Sequence, residues 1–177
     1  GVSLNEARTG LFTTLQEMGA GLTIDNMRVE GGEDVGDITV IQRELRGIDV
    51  PAVRAPSMID EYLVLAVAAA SARGVTRMHG LGELRVKESD RLAATAAMLT
   101  GNGVKVEIEG DTLIVHGQGT PAGGGLVATQ MDHRIAMSAI VLGLVTAAPV
   151  RIDDSGFIGT SFPGFVELMQ GLGATIR

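Results

Sequence analysis

The chain has 177 residues, a net charge of −7 and a hydrophobic content of 45%. This length suffices for a single domain, residues 1–177, with a sizeable core, and charged residues at 20% are typical of a globular protein. The excess of negative charge argues against nucleic-acid binding, although a few local cations would suffice for an anionic substrate. The chain contains no cysteine, which excludes disulfides and thiolate metal sites and fits a cytoplasmic location.

The hydrophobic runs of the chain are short for a membrane span. The longest, 135–150, includes Ser138, Thr146 and Pro149 and lies between two arginines. We therefore expect no membrane partner, and this run is interpreted as a buried helix that continues into a strand. The polar segment that follows Gly1 also predicts that no signal peptide begins the chain.

Three segments repeat one pattern, an amphipathic helix that ends at a glycine and is followed by a strand. The helices are predicted at 11–20, 95–104 and 165–174, and the strands at 21–24, 105–108 and 175–176. The three copies align on Gly19, Gly103 and Gly173, which are placed to end each helix in a left-handed cap. This alignment also superimposes Leu15, Leu99 and Met169. An internal repeat of this kind predicts stacked copies of one helix-and-strand unit.

A second type of helix alternates with the first. The segments 60–72 and 132–144 begin with charged residues and then become apolar on every side, which predicts helices buried all round. Further strands are predicted at 37–41, 74–78, 112–116 and 148–152, with a hairpin turn at 109–111 and a loop at 121–125. The expected architecture is therefore α+β, with mixed sheets outside and buried helices inside.

The stretch 84–92 concentrates ionisable residues where a strand-like Leu-Arg-Val segment leads into a helix. Ser89 and Asp90 are placed to cap that helix, so Lys87, Glu88 and Arg91 lie just before or within its first turn. A cation at this end opposes the helix dipole. Lys87 and Arg91 therefore need another reason to be there, and an anionic ligand would supply one. The alternative interpretation is a solvated charged corner.

The two buried helices also begin with charge. Asp60 opens one of them, and Asp132, His133 and Arg134 open the other. Acidic residues at such positions are ordinary caps, whereas Arg134 opposes the dipole and could hold a carboxylate or phosphate with two hydrogen bonds. We therefore expect that neutralising Lys87, Arg91 or Arg134 leaves the stability of the fold unchanged or raises it slightly.

Several of these stretches together resemble one enzyme family, the 5-enolpyruvylshikimate-3-phosphate synthases. The matching stretches are Lys87–Arg91, 54–62, 132–138 and 160–163, in the family's order. Two more stretches, 14–20 and 31–35, are closest to its glyphosate-tolerant bacterial branch. The resemblance covers the whole chain, but it covers only the C-terminal part of the family's usual length.

The resemblance implies a fold of two domains that face each other across a cleft, each made of three βαβαββ units. This chain would form most of one of these domains, and an absent N-terminal part of the same enzyme would supply part of its first unit. Further substrate ligands lie in that N-terminal part. We therefore expect the 177-residue chain alone to be an incomplete and inactive enzyme.

The reaction implied by the resemblance transfers enolpyruvyl from phosphoenolpyruvate to the 5-hydroxyl of shikimate-3-phosphate and releases phosphate. It belongs to the shikimate pathway of aromatic amino-acid biosynthesis and passes through a tetrahedral intermediate. It needs a proton delivered to the methylene carbon, a proton removed from the attacking hydroxyl, and cations around the anionic groups. It needs no metal and no organic cofactor.

The resemblance also assigns roles to individual residues. Asp60 corresponds to the proton acceptor that contacts shikimate-3-phosphate, and Glu88 to the group that exchanges protons with the methylene carbon. Lys87 corresponds to a shikimate-3-phosphate ligand. Arg91 and Arg134 correspond to phosphoenolpyruvate ligands, with His133 as a polar neighbour.

Two residues depart from the family pattern. Thr160 stands where some members have a lysine, and Glu83 stands where others have an asparagine near the ring. Each departure affects a single contact.

Two other functions are compatible with the fold. One is the enolpyruvyl transferase that acts on UDP-N-acetylglucosamine in cell-wall synthesis, and the other is a non-catalytic binding module. The stretches Lys87–Arg91 and 56–62 favour the shikimate enzyme over the first alternative. Charged residues at three helix starts argue against the second, because a module without a ligand would tolerate neutral caps.

Overall fold

The computed structural model describes residues 1–177 as nine strands and six α-helices, joined in part by short 3₁₀-helices. The strands are β1 (Val2–Ser3), β2 (Gly21–Glu30), β3 (Glu33–Ile41), β4 (Asp49–Val50), β5 (Arg73–Met78), β6 (Lys105–Glu109), β7 (Thr112–Gln118), β8 (Leu126–Val127) and β9 (Arg151–Ile152). The helices are α1 (Gly10–Glu17), α2 (Tyr62–Ser71), α3 (Arg91–Gly101), α4 (His133–Gly143), α5 (Ile158–Ser161) and α6 (Phe165–Gly171). None of the helices combines the length and the apolar character needed to cross a membrane.

The strands form three sheets. One has the order β1-β3-β2 and is antiparallel, and a second has the order β4-β5-β7-β6 with β4 and β5 parallel. The third consists of the parallel pair β8 and β9. The second sheet is thus mixed, as the sequence predicts.

One complete βαβαββ unit runs from β4 through α2, β5, α3 and β6 to β7. The segment from β1 to β3 repeats its second part, because β1 pairs antiparallel with β3 as β5 does with β7. The segment β8–α4–β9 repeats its first part, because β8 and β9 are parallel as β4 and β5 are. The prediction of repeated units is therefore confirmed.

The glycine alignment predicted from the sequence is also confirmed. Gly19, Gly103 and Gly173 have φ angles of 95°, 85° and 101°. In each copy the N–H after the glycine donates to a carbonyl of the last helical turn, from Ala20 to Leu15 at 2.9 Å, from Val104 to Leu99 at 3.0 Å and from Ala174 to Met169 at 2.9 Å. The acceptors are the three residues that the alignment superimposes. The repeat is thus a repeat of helix-ending hydrogen bonds as well as of sequence.

The core is built around α2. Seven of its ten residues are buried and none is exposed, which confirms the prediction of a helix buried on all sides. α4 buries five residues along one face and leaves the other six half-buried, so only one face of this helix is fully buried, in contrast to the prediction for 132–144. Since Ala is the commonest residue of α2, neighbouring elements can approach this helix closely.

Some sequence predictions differ from the structure. The segment 175–176 is not a strand, since no neighbouring strand pairs with it. The strand predicted at 148–152 is shortened to β9, with only an isolated parallel bridge between Ala148 and Gly123 before it, because Pro149 lacks an N–H and interrupts the pairing.

The strand-like segment 84–86 belongs instead to a 3₁₀-helix, Gly82–Val86. Leu84 is buried there, and Arg85 donates to the carbonyl of Gly110 at 2.6 Å in the β6–β7 turn. These long-range contacts override the alternating local pattern, which favours a strand.

The glycine caps lead to a first prediction, on Gly103 and Gly101 at the end of α3. Gly103→Ala should lower the free energy of unfolding by about 1–2 kcal/mol, because its φ of 85° disfavours a side chain and the new Cβ would lie 2.9 Å from Ala122 Cβ. Gly101→Ala, where a Cβ meets open space, should instead stabilise by about 0.5 kcal/mol. Urea unfolding of both variants measures the difference. Equal effects would show that the cap does not depend on the left-handed glycine.

Candidate active site

The starts of three helices meet at one place in the fold. Asp60 lies in the 3₁₀-helix Ile59–Glu61 that precedes α2, Arg91 is the first residue of α3, and Asp132 is the N-cap of α4. Arg91 Nη1 lies 3.1 Å from Asp60 Oδ1, and Arg91 Nε lies 2.7 Å from Asp132 Oδ2. The fold thus gathers charged residues that are 31 and 41 positions apart in the chain.

Arg91 is the centre of this group. Its side chain is 2% exposed, and its Nη2 lies 2.6 Å from Glu88 Oε2 and donates to Asp132 Oδ1 at 3.3 Å. The guanidinium therefore contacts three carboxylates of its own chain. These carboxylates account for a cation at a helix start without a ligand, so the expectation that Arg91 is dispensable for stability no longer holds.

Asp132 is the buried partner of Arg91. Its side chain is 0% exposed and accepts hydrogen bonds from the N–H of Arg134 at 2.9 Å and from Ser89 Oγ at 2.9 Å, in addition to Arg91. Burial alone would raise the pKa of Asp132, but the hydrogen bonds from Arg91, Arg134 and Ser89 outweigh it and lower this pKa. Asp132 is thus a helix cap, as the sequence predicts, and also the anchor of Arg91.

The sequence reasoning missed this second role of Asp132 and the contact of Ser89. The only available signal was that Arg91 opposes the dipole of its helix and so needs an anionic partner. That signal does not say which carboxylate is the partner.

Arg134 approaches the same group from α4. Its Nη2 lies 3.5 Å from Asp60 Oδ2, and its Nη1 donates to the backbone carbonyl of Asp60 at 3.4 Å. The side chain is 31% exposed, which leaves it open to a ligand. His133, the neighbouring residue at the start of α4, is half-buried and takes no part in these ion pairs.

Lys87 lies at the rim of the group. It forms an ion pair with Glu83, which raises the pKa of Lys87, and Asp60 is close enough to raise this pKa further. Glu83, one of the two departures from the family pattern, is thus the partner of Lys87. The other departure, Thr160, is exposed on α5, where its hydroxyl donates to the carbonyl of Phe157 at 2.7 Å.

A second ion pair holds the segment that carries Asp60. Arg54 donates to both carboxylate oxygens of Glu17, at 2.6 and 2.7 Å, and to Thr14 Oγ1 at 3.1 Å. The hydrogen bond from Arg54 lowers the pKa of Glu17. This pair fastens the 3₁₀-helix Ala52–Ser57 to α1 and so limits the movement of the residues that lead to Asp60.

Chemically, the group offers proton-handling carboxylates and accessible cations side by side. Asp60 and Glu88 are 22% and 53% exposed and both contact Arg91. Lys87 and Arg134 are 25% and 31% exposed. Such an arrangement can bind an anion and exchange protons with it.

One protein family matches almost the whole chain. The family described as EPSP synthase (3-phosphoshikimate 1-carboxyvinyltransferase) matches residues 1–169. Among curated relatives, the 3-phosphoshikimate 1-carboxyvinyltransferase of Granulibacter bethesdensis is 70% identical over 175 residues, which are 98% of this chain and 38% of the relative. That of Acidiphilium cryptum is 64% identical over 177 residues, which are 40% of its length. The chain therefore spans about two fifths of the length of these relatives.

Solved structures agree with this match. An EPSP synthase from Acinetobacter baumannii is 41% identical with a TM-score of 0.95, over 99% of this chain and 41% of that one. The enolpyruvyl transferase NikO from Streptomyces tendae, at 21% identity and a TM-score of 0.68, covers 96% of this chain and 36% of that one and is similar in fold.

The burial of Arg91 leads to a second prediction. Arg91→Met should lower the free energy of unfolding at pH 7 by about 3–5 kcal/mol, because it leaves the Asp132 carboxylate buried without its cation. Lys87→Met, which removes a cation from the rim, should have little effect. Urea unfolding of both variants measures the contrast.

The penalty of Arg91→Met should also depend on pH. The lowered pKa of Asp132 means that its charged form supports the parent fold above the ordinary carboxyl pKa and loses that support as the pH falls through the folded value. In the variant, burial favours a neutral Asp132, so the penalty should shrink as the pH falls from 7 to about 4. A penalty that is small or independent of pH would contradict the central role of this pair.

Proposed function

This chain belongs to the EPSP synthase family, and from that membership we propose that its protein transfers the enolpyruvyl group of phosphoenolpyruvate to the 5-hydroxyl of shikimate-3-phosphate. The observation that carries the proposal is the meeting of Asp60, Glu88, Arg91 and Arg134 at three helix starts. Each of these residues has a role in the implied reaction.

In the addition step, the 5-hydroxyl oxygen bonds to the central carbon of phosphoenolpyruvate while a proton goes to its methylene carbon. Asp60 accepts the hydroxyl proton, and Glu88 delivers the other one. In the elimination step, the new methyl group returns a proton to Glu88 and the bond from the central carbon to the phosphate oxygen breaks. The proton held by Asp60 goes to the leaving phosphate, so both carboxylates return to their starting states. Support for this division comes from the contact of both carboxylates with Arg91, since both therefore lie on the same side of the site before substrate binds.

The cations bind the two anionic substrates: Lys87 contacts shikimate-3-phosphate, and Arg91 and Arg134 contact phosphoenolpyruvate. Arg134 and Lys87 are partly exposed and can meet a phosphate or carboxylate directly. Arg91 is buried, so a substrate anion reaches it by taking the place of Glu88, whose side chain is 53% exposed. This exchange replaces one anionic partner of Arg91 with another and leaves Arg91 paired with Asp132.

The rest of the family's length would complete the site. This chain matches 38% of its Granulibacter relative, and the remainder would provide the opposite wall of the cleft with further ligands for both substrates. The proposed reaction needs neither a metal nor an organic cofactor, and we propose a cytoplasmic location. His133 would be a polar neighbour of phosphoenolpyruvate.

The third prediction tests the function itself. A chimaera in which this chain replaces the matching segment of the Granulibacter bethesdensis relative, 70% identical to it, should release phosphate from phosphoenolpyruvate only when shikimate-3-phosphate is present. UDP-N-acetylglucosamine as the acceptor should give no product. Product with that acceptor would favour the cell-wall alternative, and a folded chimaera without turnover would favour a non-catalytic module.

The fourth prediction concerns Asp60 and Glu88 in the same chimaera. Asp60→Asn and Glu88→Gln should each lower kcat by about 10²-fold or more, because each replacement removes a group that transfers a proton. Glu107→Gln, on the exposed strand β6, is the matched control and should leave kcat unchanged. If either variant keeps the parent kcat, that carboxylate is a partner of Arg91 and nothing more.

A further inference from the structure

The turn that presents Asp132 has an unusual backbone. Gln130 and Met131 have φ angles of 53° and 60°, in the left-handed region that favours glycine. The N–H of Asp132 donates to the carbonyl of Thr129 at 2.9 Å, which closes a four-residue turn around them. Two consecutive left-handed residues make this a type I′ turn, for which Asn and Gly are the favoured residues. Neither Gln130 nor Met131 favours this conformation by itself, so something else must hold it.

The structure contains a clamp at the start of this turn. Thr129 is 2% exposed, and both its N–H and its hydroxyl donate to Asp153 Oδ1, at 2.9 and 2.8 Å. Asp153 follows β9, and its own N–H donates to the carbonyl of Val127 at 3.2 Å in β8. The hydrogen bonds from Thr129 lower the pKa of Asp153, so this acceptor remains charged well below neutral pH.

A continuous series of contacts leads from this clamp to the site. Asp153 fixes Thr129, Thr129 closes the turn at Asp132, and Asp132 holds Arg91 through Nε and Nη2. Asp132 also accepts the N–H of Arg134 and so begins α4. The position of both arginines thus depends on a turn that its own residues disfavour.

We propose that Asp153 is a positioning residue of this enzyme: it holds the left-handed turn 129–132 and thereby aims Asp132 at Arg91. It touches neither Asp60, Glu88 nor Arg91 itself, and it is exposed at the surface. The expected effect of Asp153 on substrate binding rests on the proposed function, whereas its expected effect on the position of Arg91 does not.

The fifth prediction tests this role in the chimaera described above. Asp153→Ala should raise KM for phosphoenolpyruvate about tenfold and change kcat less than about threefold. The reason is that Arg91 and Arg134 lose their position, while the proton-transferring carboxylates Asp60 and Glu88 keep theirs. KM for shikimate-3-phosphate should stay within about threefold of the parent. The Arg91 Nε–H should exchange with solvent at least about tenfold faster, as measured by NMR.

Three further variants separate positioning from general support of the fold. Asp153→Asn keeps the acceptor oxygen and should stay close to the parent in every measurement. Asp154→Ala is the matched control, since its carboxylate accepts from Gly156 and not from Thr129. Adding Met131→Gly to Asp153→Ala should restore KM and slow the exchange again, because glycine adopts the turn without a clamp.

Two results would overturn the proposal. One is an Asp153→Ala variant that melts lower with unchanged KM and unchanged Arg91 exchange, since Asp153 would then only brace its loop. The other is a failure of Met131→Gly to rescue the exchange rate. An inactive parent chimaera would count against the proposed function alone, and the exchange rates would then decide the positioning role.

Discussion

The structure depends on one buried cation and the carboxylates around it. The side chains of Arg91 and Asp132 are 2% and 0% exposed, so both charges are desolvated. The free-energy cost of this desolvation is offset only where every buried polar atom has a hydrogen-bond partner. Asp132 meets this condition with Arg91, Ser89 and the N–H of Arg134. Hydrophobic packing could hold α3 against α4 in several registers, whereas this set of hydrogen bonds fits one. We infer that the pair specifies the arrangement of the helices more than it adds to stability.

The solvent exposure of the charged side chains around Arg91 increases from the interior of the group to its surface. Asp132 and Arg91 are closed to solvent, Asp60 and Arg134 are 22% and 31% exposed, and Glu88 is 53% exposed. The inner pair is fixed by burial, while the outer groups can change partners at little cost because water solvates them. A single cluster can therefore hold the fold together and still exchange contacts with an anion.

How far the sequence predicts this molecule depends on the range of the forces involved. The glycine caps at Gly19, Gly103 and Gly173 follow from local backbone chemistry, and the sequence predicts all three. The two-residue strands β4 and β8 were not predicted, because they exist through pairing with distant strands. The charged residues of the site could be found from the sequence, but the burial of Arg91 among three carboxylates could not. Burial depends on how the helices pack together, so the residues of the stretch 84–92 alone do not reveal it.

The connectivity explains why the chemistry is concentrated where it is. Asp60 lies on the connection from β4 to α2, Lys87 and Glu88 on that from β5 to α3, Asp132 on that from β8 to α4, and Asp153 on that from β9 to α5. All are strand-to-helix connections, and repetition of one unit brings such connections to the same end of the stack. Helix starts there supply free N–H groups and a positive dipole end, which suit carboxylates of the protein and anions of a substrate alike. The repeat that builds the core thus also assembles the site, because each unit contributes the same kind of connection to the same place.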